Sequence, residues 1–173
     1  SGVNMAYLSN SNSITIKPGF QLGAYAKYSG LETIFFKAEF LITQKGSASW
    51  NNEQPNNFNL FYIDLPIMFG LSLSQSLSLN TGIQPSMLLG GTYRGTDATG
   101  RIFKKSIGND LATFDYSTLL GIEYFMNDNW FIGARYNYGF VSIQEYNQEF
   151  IDANDGKLLK NRSFQLYVGY KFN

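Results

Sequence analysis

Residues 32–45 read ETIFFKAEFLITQK, and the stretch alternates apolar with polar along its length. Ile34, Phe36, Ala38, Phe40 and Ile42 fall on one face, while Lys37, Glu39, Thr43 and Lys45 fall on the other. A period of two sends successive side chains to opposite sides of a strand, and helical spacing does not fit it.

The same pattern recurs on both sides of this segment. Val3–Leu8, Lys17–Tyr28, Glu32–Lys45, Phe58–Ser72, Leu77–Tyr93, Leu111–Met126, Trp130–Ile143 and Asn161–Phe172 all read as strands. Val3–Leu8 is weak alone and depends on pairing with the last strand. The gaps between strands alternate in length. Ser9–Ile16, Gly46–Asn57, Arg94–Asp110 and Gln144–Lys160 are long and polar, whereas Ser29–Leu31, Leu73–Ser76 and Asn127–Asn129 are tight. All tight turns therefore lie at one end and all long loops at the other. This predicts an all-β fold, an eight-stranded antiparallel up-and-down transmembrane β-barrel of the OmpA/OmpX kind, as one domain over residues 1–173. Several strands exceed the roughly 9–11 residues needed to cross hydrocarbon, so they should project beyond the membrane on the loop side. Proline removes a ladder donor, which predicts a bulge or bend near Pro66 and another at Pro85.

Composition points the same way. Charged residues are 15% of the chain, below the roughly 25% of an ordinary soluble domain. Yet no apolar run approaches the roughly 18 residues of a spanning helix. A barrel reconciles the two, because each strand shows only every second residue to lipid. Thirteen basic and 13 acidic residues cancel, which removes the electrostatic case for a nucleic-acid partner. The chain has no Cys and no His, which excludes disulfides, thiolate metal sites, His-based triads and His-ligated haem. It opens on Ser1-Gly2-Val3 without a signal peptide, and reads as a mature or trimmed sequence.

The two faces differ in kind. The outward face has essentially no full charge across the strand centres. Its aromatics gather near the strand ends: Tyr28, Tyr124, Trp130, Tyr170 and Phe172 toward the tight turns, and Phe58, Tyr93, Phe114, Phe140 and Phe164 toward the loops. Two such belts are the anchors of a membrane barrel, although aromatics are also enriched in ordinary strands. The inward face carries Lys27, Lys37, Glu39, Asp64, Asp115, Glu123, Arg135 and Lys171, four of each sign. Isolated charges in a narrow lumen are costly, so opposite signs should pair. Lys37, Glu39, Asp64, Asp115, Glu123 and Arg135 are the expected network. Lys37, Glu39, Asp64 and Arg135 are expected at similar heights, and Glu123 and Arg135 within diagonal reach. The network reads as a polar plug or, alternatively, as a proton or ion path.

Enzymatic signals are weak. Asp64 and Glu123 are the kind of pair that acid–base chemistry uses, but no substrate-sized cleft is implied. Gly90-Gly91 and Gly95 precede no helix and do not make a phosphate cradle. Lys104-Lys105 reads as a solvated loop tip, and Asn154-Asp155-Gly156 as a turn. No catalytic residue, cofactor or metal is expected.

Seven segments together resemble the PorT-like small outer-membrane β-barrel proteins of Bacteroidota. They are GVNMAYLS, KPGFQLGAYAKY, AEFLITQKGS, YIDLPIMFG, FDYSTLLGIEYF, ARYNYGFVSI and NRSFQLYVGYKF, in that order over nearly the whole chain. The resemblance implies export to the bacterial outer membrane, with tight turns in the periplasm and long loops outside. One departure is that Phe172 is penultimate, where such barrels usually end on an aromatic. The expected function is structural or surface-interacting. Outer-membrane lipid or detergent is the expected surrounding, and the loops are where a surface or envelope protein would be met. A narrow pore or small-solute carrier is the alternative, and a soluble lipocalin-like carrier with its apolar face inward a further one.

Overall fold

The computed structural model describes residues 1–9, 16–30, 33–51, 54–96, 101–106, 113–142 and 160–172. Alternation becomes β-structure throughout, and among the described residues there is no helix. The strands are β1 (Gly2–Ser9), β2 (Lys17–Tyr28), β3 (Ile34–Asn51), β4 (Gln54–Asp64), β5 (Ile67–Ser72), β6 (Leu77–Thr96), β7 (Ile102–Ser106), β8 (Phe114–Phe125), β9 (Trp130–Ser142) and β10 (Lys160–Tyr170).

All neighbouring strands pair antiparallel. β4 and β5 both lie between β3 and β6, so together they fill one place in the wall. β7 pairs β6 as a projecting hairpin. The circuit runs β1, β2, β3, β4/β5, β6, β8, β9 and β10, and it closes where β1 pairs β10 from Gly2↔Tyr167 to Ser9↔Lys160. The weak first segment is thus the closing strand of an eight-stranded barrel. Closure satisfies the backbone groups that an open edge would leave bare in lipid.

The wall breaks at Leu65–Pro66, as proline chemistry predicts. Glu39 N–H donates to the Pro66 carbonyl at 2.9 Å, and Leu65 N–H to the Pro85 carbonyl at 2.9 Å, so the two prolines share one seam. The expected bend at Pro85 is absent: β6 runs straight through it, paired Pro85↔Tyr116. The break in β4/β5 already spares the missing Pro85 donor. The irregularity in β6 comes four residues later. Phe61 pairs Gly90 and Tyr62 pairs Leu88, which leaves Leu89 as the extra residue of a bulge beside Gly90-Gly91.

Two expected loops are largely strand. β3 and β4 stay paired to Asn51↔Gln54, and β6 and β7 pair from Thr92↔Ser106 to Thr96↔Ile102. Polar, Gly- and Asn-rich composition mimics a loop, but a hairpin standing clear of the hydrocarbon is polar on both faces for the same reason. The other long gaps, and Asn154-Asp155-Gly156, lie mostly outside the described residues. The tight ends are ordinary turns. Leu73 and Ser74 N–H both donate to the Leu77 carbonyl, and the Asn127 side chain accepts from Asn129 and Trp130 N–H.

Inside the barrel, each of three large rings faces a glycine in register: Phe35↔Gly70, Tyr167↔Gly133 and Phe131↔Gly169. A Cβ on any of these glycines would fall inside the facing ring. The glycines supply the room that lets bulky residues fill a narrow lumen.

Candidate functional site

Burial is inverted relative to a soluble domain. Asn4, Gln21, Thr43, Asp64, Gln84, Glu123, Arg135 and Gln165 are buried, while Leu22, Ile83, Leu120 and Ile132 are exposed on the outer wall. An apolar exterior over a polar lumen is what lipid on one side and packed protein on the other require. It also rules out the lipocalin-like alternative, which needs the apolar face inside.

The buried inward charges gather in two groups, one toward each end of the barrel. Toward the tight turns, Lys37 Nζ lies 2.9 Å from Glu39 Oε1 and also bonds Glu123. Arg135 Nη2 donates to Glu39 Oε2 at 2.7 Å, and the Tyr167 hydroxyl donates to Glu123 Oε1 at 2.8 Å. These bonds cross the lumen from β3 to β8, β9 and β10. Aromatic faces complete the surroundings: Lys37 Nζ is 4.7 Å from the Tyr25 centroid and 4.8 Å from that of Phe131, and Arg135 Cζ is 4.5 Å from that of Tyr167.

Nearer the loops, Lys45 Nζ lies 2.9 Å from Asp64 Oδ1 and 4.7 Å above the Tyr62 ring. Asn161 Nδ2 donates to Asp115 Oδ2 at 2.6 Å, and Lys17 donates to Asn59 Oδ1 at 2.5 Å. Between the clusters sits a layer of buried amides that includes Asn4, Gln21, Gln84 and Gln165.

Several expectations change in detail. Asp64 is not level with Lys37, Glu39 and Arg135; it belongs to the loop-side cluster through Lys45. Glu123 and Arg135 do not pair, because Gly133 stands opposite Glu123 and Gly121 opposite Arg135. Each instead reaches across the lumen to β3. Lys27 is exposed at the tight-turn end, with its Nζ 3.9 Å from the Phe35 centroid, and Lys171 is also exposed. Lys45, Lys17, Asn161 and Tyr167 were missing from the expected network. All four stand on inward positions of their alternating segments, but no partner for them is legible until register is known.

Tyr28, Tyr124, Trp130, Tyr170 and Phe172 are exposed at the tight-turn end, with Trp130 and Tyr170 4.9 Å apart, as are Tyr170 and Phe172. Phe114, Phe140 and Phe164 are exposed toward the loops. Tyr93 departs from the expected outer belt. It packs against the buried Leu60, Tyr62 and Leu88, because the Leu89 bulge turns it inward. Residue 58 is its register partner.

Two spaces interrupt the packing. A cavity of about 10 Å³, lined by Lys45, Asp115, Asn137, Asn161 and Arg162 among others, has room for a single water. At the tight-turn end a vestibule of about 1100 Å³ reaches inward as far as Lys37, Glu39 and Arg135. It also reaches the outer face beside Leu22 and Ala24, where β2 continues past the end of β1. Among the described residues no group of three Asp or Glu side chains is placed to hold a metal.

Solved structures share this architecture. Ail, the attachment invasion locus protein of Yersinia pestis, solved in complex with the heparin analogue sucrose octasulfate, superimposes with a TM-score of 0.59 at 15% identity, covering 99% of this chain and 94% of Ail. Neisserial surface protein A gives 0.55 at 17% identity, covering 99% and 94%. CarO of Acinetobacter baumannii gives 0.50 at 8% identity, covering 99% and 97%. At these identities the likeness carries the fold alone. No curated protein matches the sequence significantly. The model of the outer membrane protein beta-barrel domain matches residues 1–145. With its closed eight-stranded wall, apolar exterior and polar lumen, the chain belongs to the outer membrane protein beta-barrel domain family and resides in the bacterial outer membrane.

Proposed function

We propose that this barrel is closed to solutes and acts through its loop end, as a structural or surface-interacting protein. The observation that carries the reading is the cross-lumen bonding of Lys37, Glu39, Glu123, Arg135 and Tyr167. It spans the lumen from β3 to β8, β9 and β10, and it is the inner limit of the vestibule at the tight-turn end. A conducting lumen needs a continuous aqueous path, and here paired charges and rings occupy it. The β3–β4 and β6–β7 hairpins extend past the hydrocarbon at the other end, where a rigid scaffold presents binding surface. In this reading that end faces outward and the tight turns face the periplasm. The ordered segments from GVNMAYLS to NRSFQLYVGYKF support reading the chain as a PorT-like barrel of Bacteroidota.

The chain has no cysteine of its own, so single cysteines report cleanly. Cysteine replacing Gln84, at 0% exposure in the amide layer, is expected to stay unlabelled by a charged water-soluble maleimide in folded, vesicle-embedded protein. Cysteine replacing Ser74, in the exposed tight turn, is expected to label fully. Rapid labelling at position 84 would show an open lumen and favour the pore or carrier reading.

A further inference from the structure

Most charged strand residues are turned into the lumen or, like Arg162, covered. The Arg162 guanidinium bonds the Gly139 and Asn161 carbonyls and lies 3.5 Å from the Tyr138 ring centroid. Arg94 on β6 and Lys104 on β7 are different. They stand directly opposite each other in register, both exposed, and neither has an ion pair or hydrogen bond among the described residues. Directly opposed like charges destabilise a strand pair. Among the described residues no acidic group relieves them, and the register partner of Arg94 on its other side is position 57.

Their placement is as informative as their sign. Tyr93 packs into the lumen cluster, so its neighbour Arg94 is on the outer face, and Lys104 shares that face through the register. The same face carries hydroxyls at Thr92 and Ser106, another opposed pair. Lower on the same wall are Ile83, Met87, Leu89 and Phe114, all exposed to lipid. Arg94 lies about 17 Å beyond Leu89 along the strand, or about 13 Å along the membrane normal at a tilt of roughly 40°. That is the height of lipid head groups, which long cationic side chains reach by extending along the wall.

We propose that Arg94 and Lys104, with the Thr92 and Ser106 hydroxyls below them, form a binding site for the phosphate groups of an outer-leaflet lipid. A bound phosphate neutralises the opposed cations and accepts charge-assisted hydrogen bonds from both. A lipid source fits better than a soluble one, because the site faces sideways over the lipid-covered wall and not up from the hairpin tip. The assignment rests on the loop end facing outward.

The test uses the full chain in a neutral detergent, with native mass spectrometry measuring retention of bis-phosphorylated lipid A and of the same lipid stripped of its phosphates. Wild-type protein should prefer the phosphorylated lipid by about tenfold or more, because each of the two cations is attracted to the anionic head group. Arg94→Gln/Lys104→Gln should abolish the preference, and Lys171→Gln at the other end should keep it. Equal retention of the two lipids, or an unchanged preference in the double variant, overturns the site. So does inorganic phosphate displacing the lipid at equal concentration, which would make it a site for soluble anions. Because micelles have no sidedness, this result is independent of orientation. Protease access to the hairpins on whole cells tests the orientation separately.

Discussion

Glu39→Leu is expected to lower the free energy of unfolding in lipid vesicles by about 3–5 kcal/mol, the usual effect of removing one partner from a buried charge network. Glu39 bonds Lys37 through one oxygen and Arg135 through the other. Lys37 keeps Glu123 when Glu39 is lost. Arg135 keeps the Tyr167 ring but no hydrogen bond or ion pair among the described residues, because its Nε and Nη1 already lack protein partners. The damage should therefore trace to Arg135. Adding Arg135→Leu to Glu39→Leu should recover a large part of the loss, whereas adding Lys37→Leu should recover less, since that step strips Glu123 of its cation. Urea titrations of the single and double variants, compared as a cycle, measure this coupling. Additive losses for Glu39 and Arg135 would show that their bond contributes little.

Gly70→Val is expected to be comparably damaging for a steric reason. Gly70 faces Phe35 in register, and any β-carbon there falls inside the Phe35 ring. Phe35 is almost fully buried, between the wall and Lys27, and has nowhere to turn. Overpacking of this kind costs about 1–3 kcal/mol, and more where the backbone cannot shift. Strands paired on both sides resist shifting, so the upper end is expected. Phe35→Ala should be destabilising alone, by cavity formation, yet should rescue Gly70→Val by making room for the new side chain. Heat-modifiable mobility of the refolded barrel, read for the two singles and the double, decides it. No rescue would mean that Gly70 is needed for backbone geometry and not for space.

The fold was legible because its signal is redundant. Residues 32–45 alternate so regularly that the face of each side chain follows from position alone, and the tight turns at 73–76 and 127–129 set which strands are neighbours. What alternation does not carry is height. A barrel wall is tilted, so whether Asp64 lies beside Lys37 or Lys45 depends on the stagger between strands, which appears only with the register Leu41↔Asp64. Hence the inward charges could be named but not paired. The Leu89 bulge was hidden for a related reason: it inverts the faces of the residues that follow and moves Tyr93 from the outer belt to the lumen. Pro85 gave a false signal, because a break in the adjacent strand had already accommodated it.

A lumen closed by paired charges, in a barrel that works through its loop end, offers ions no standing path. Single-channel recording in planar bilayers tests this most directly. Refolded protein should insert with no steady open level above the bare membrane. A reproducible, lasting open conductance from the wild-type barrel would contradict the account.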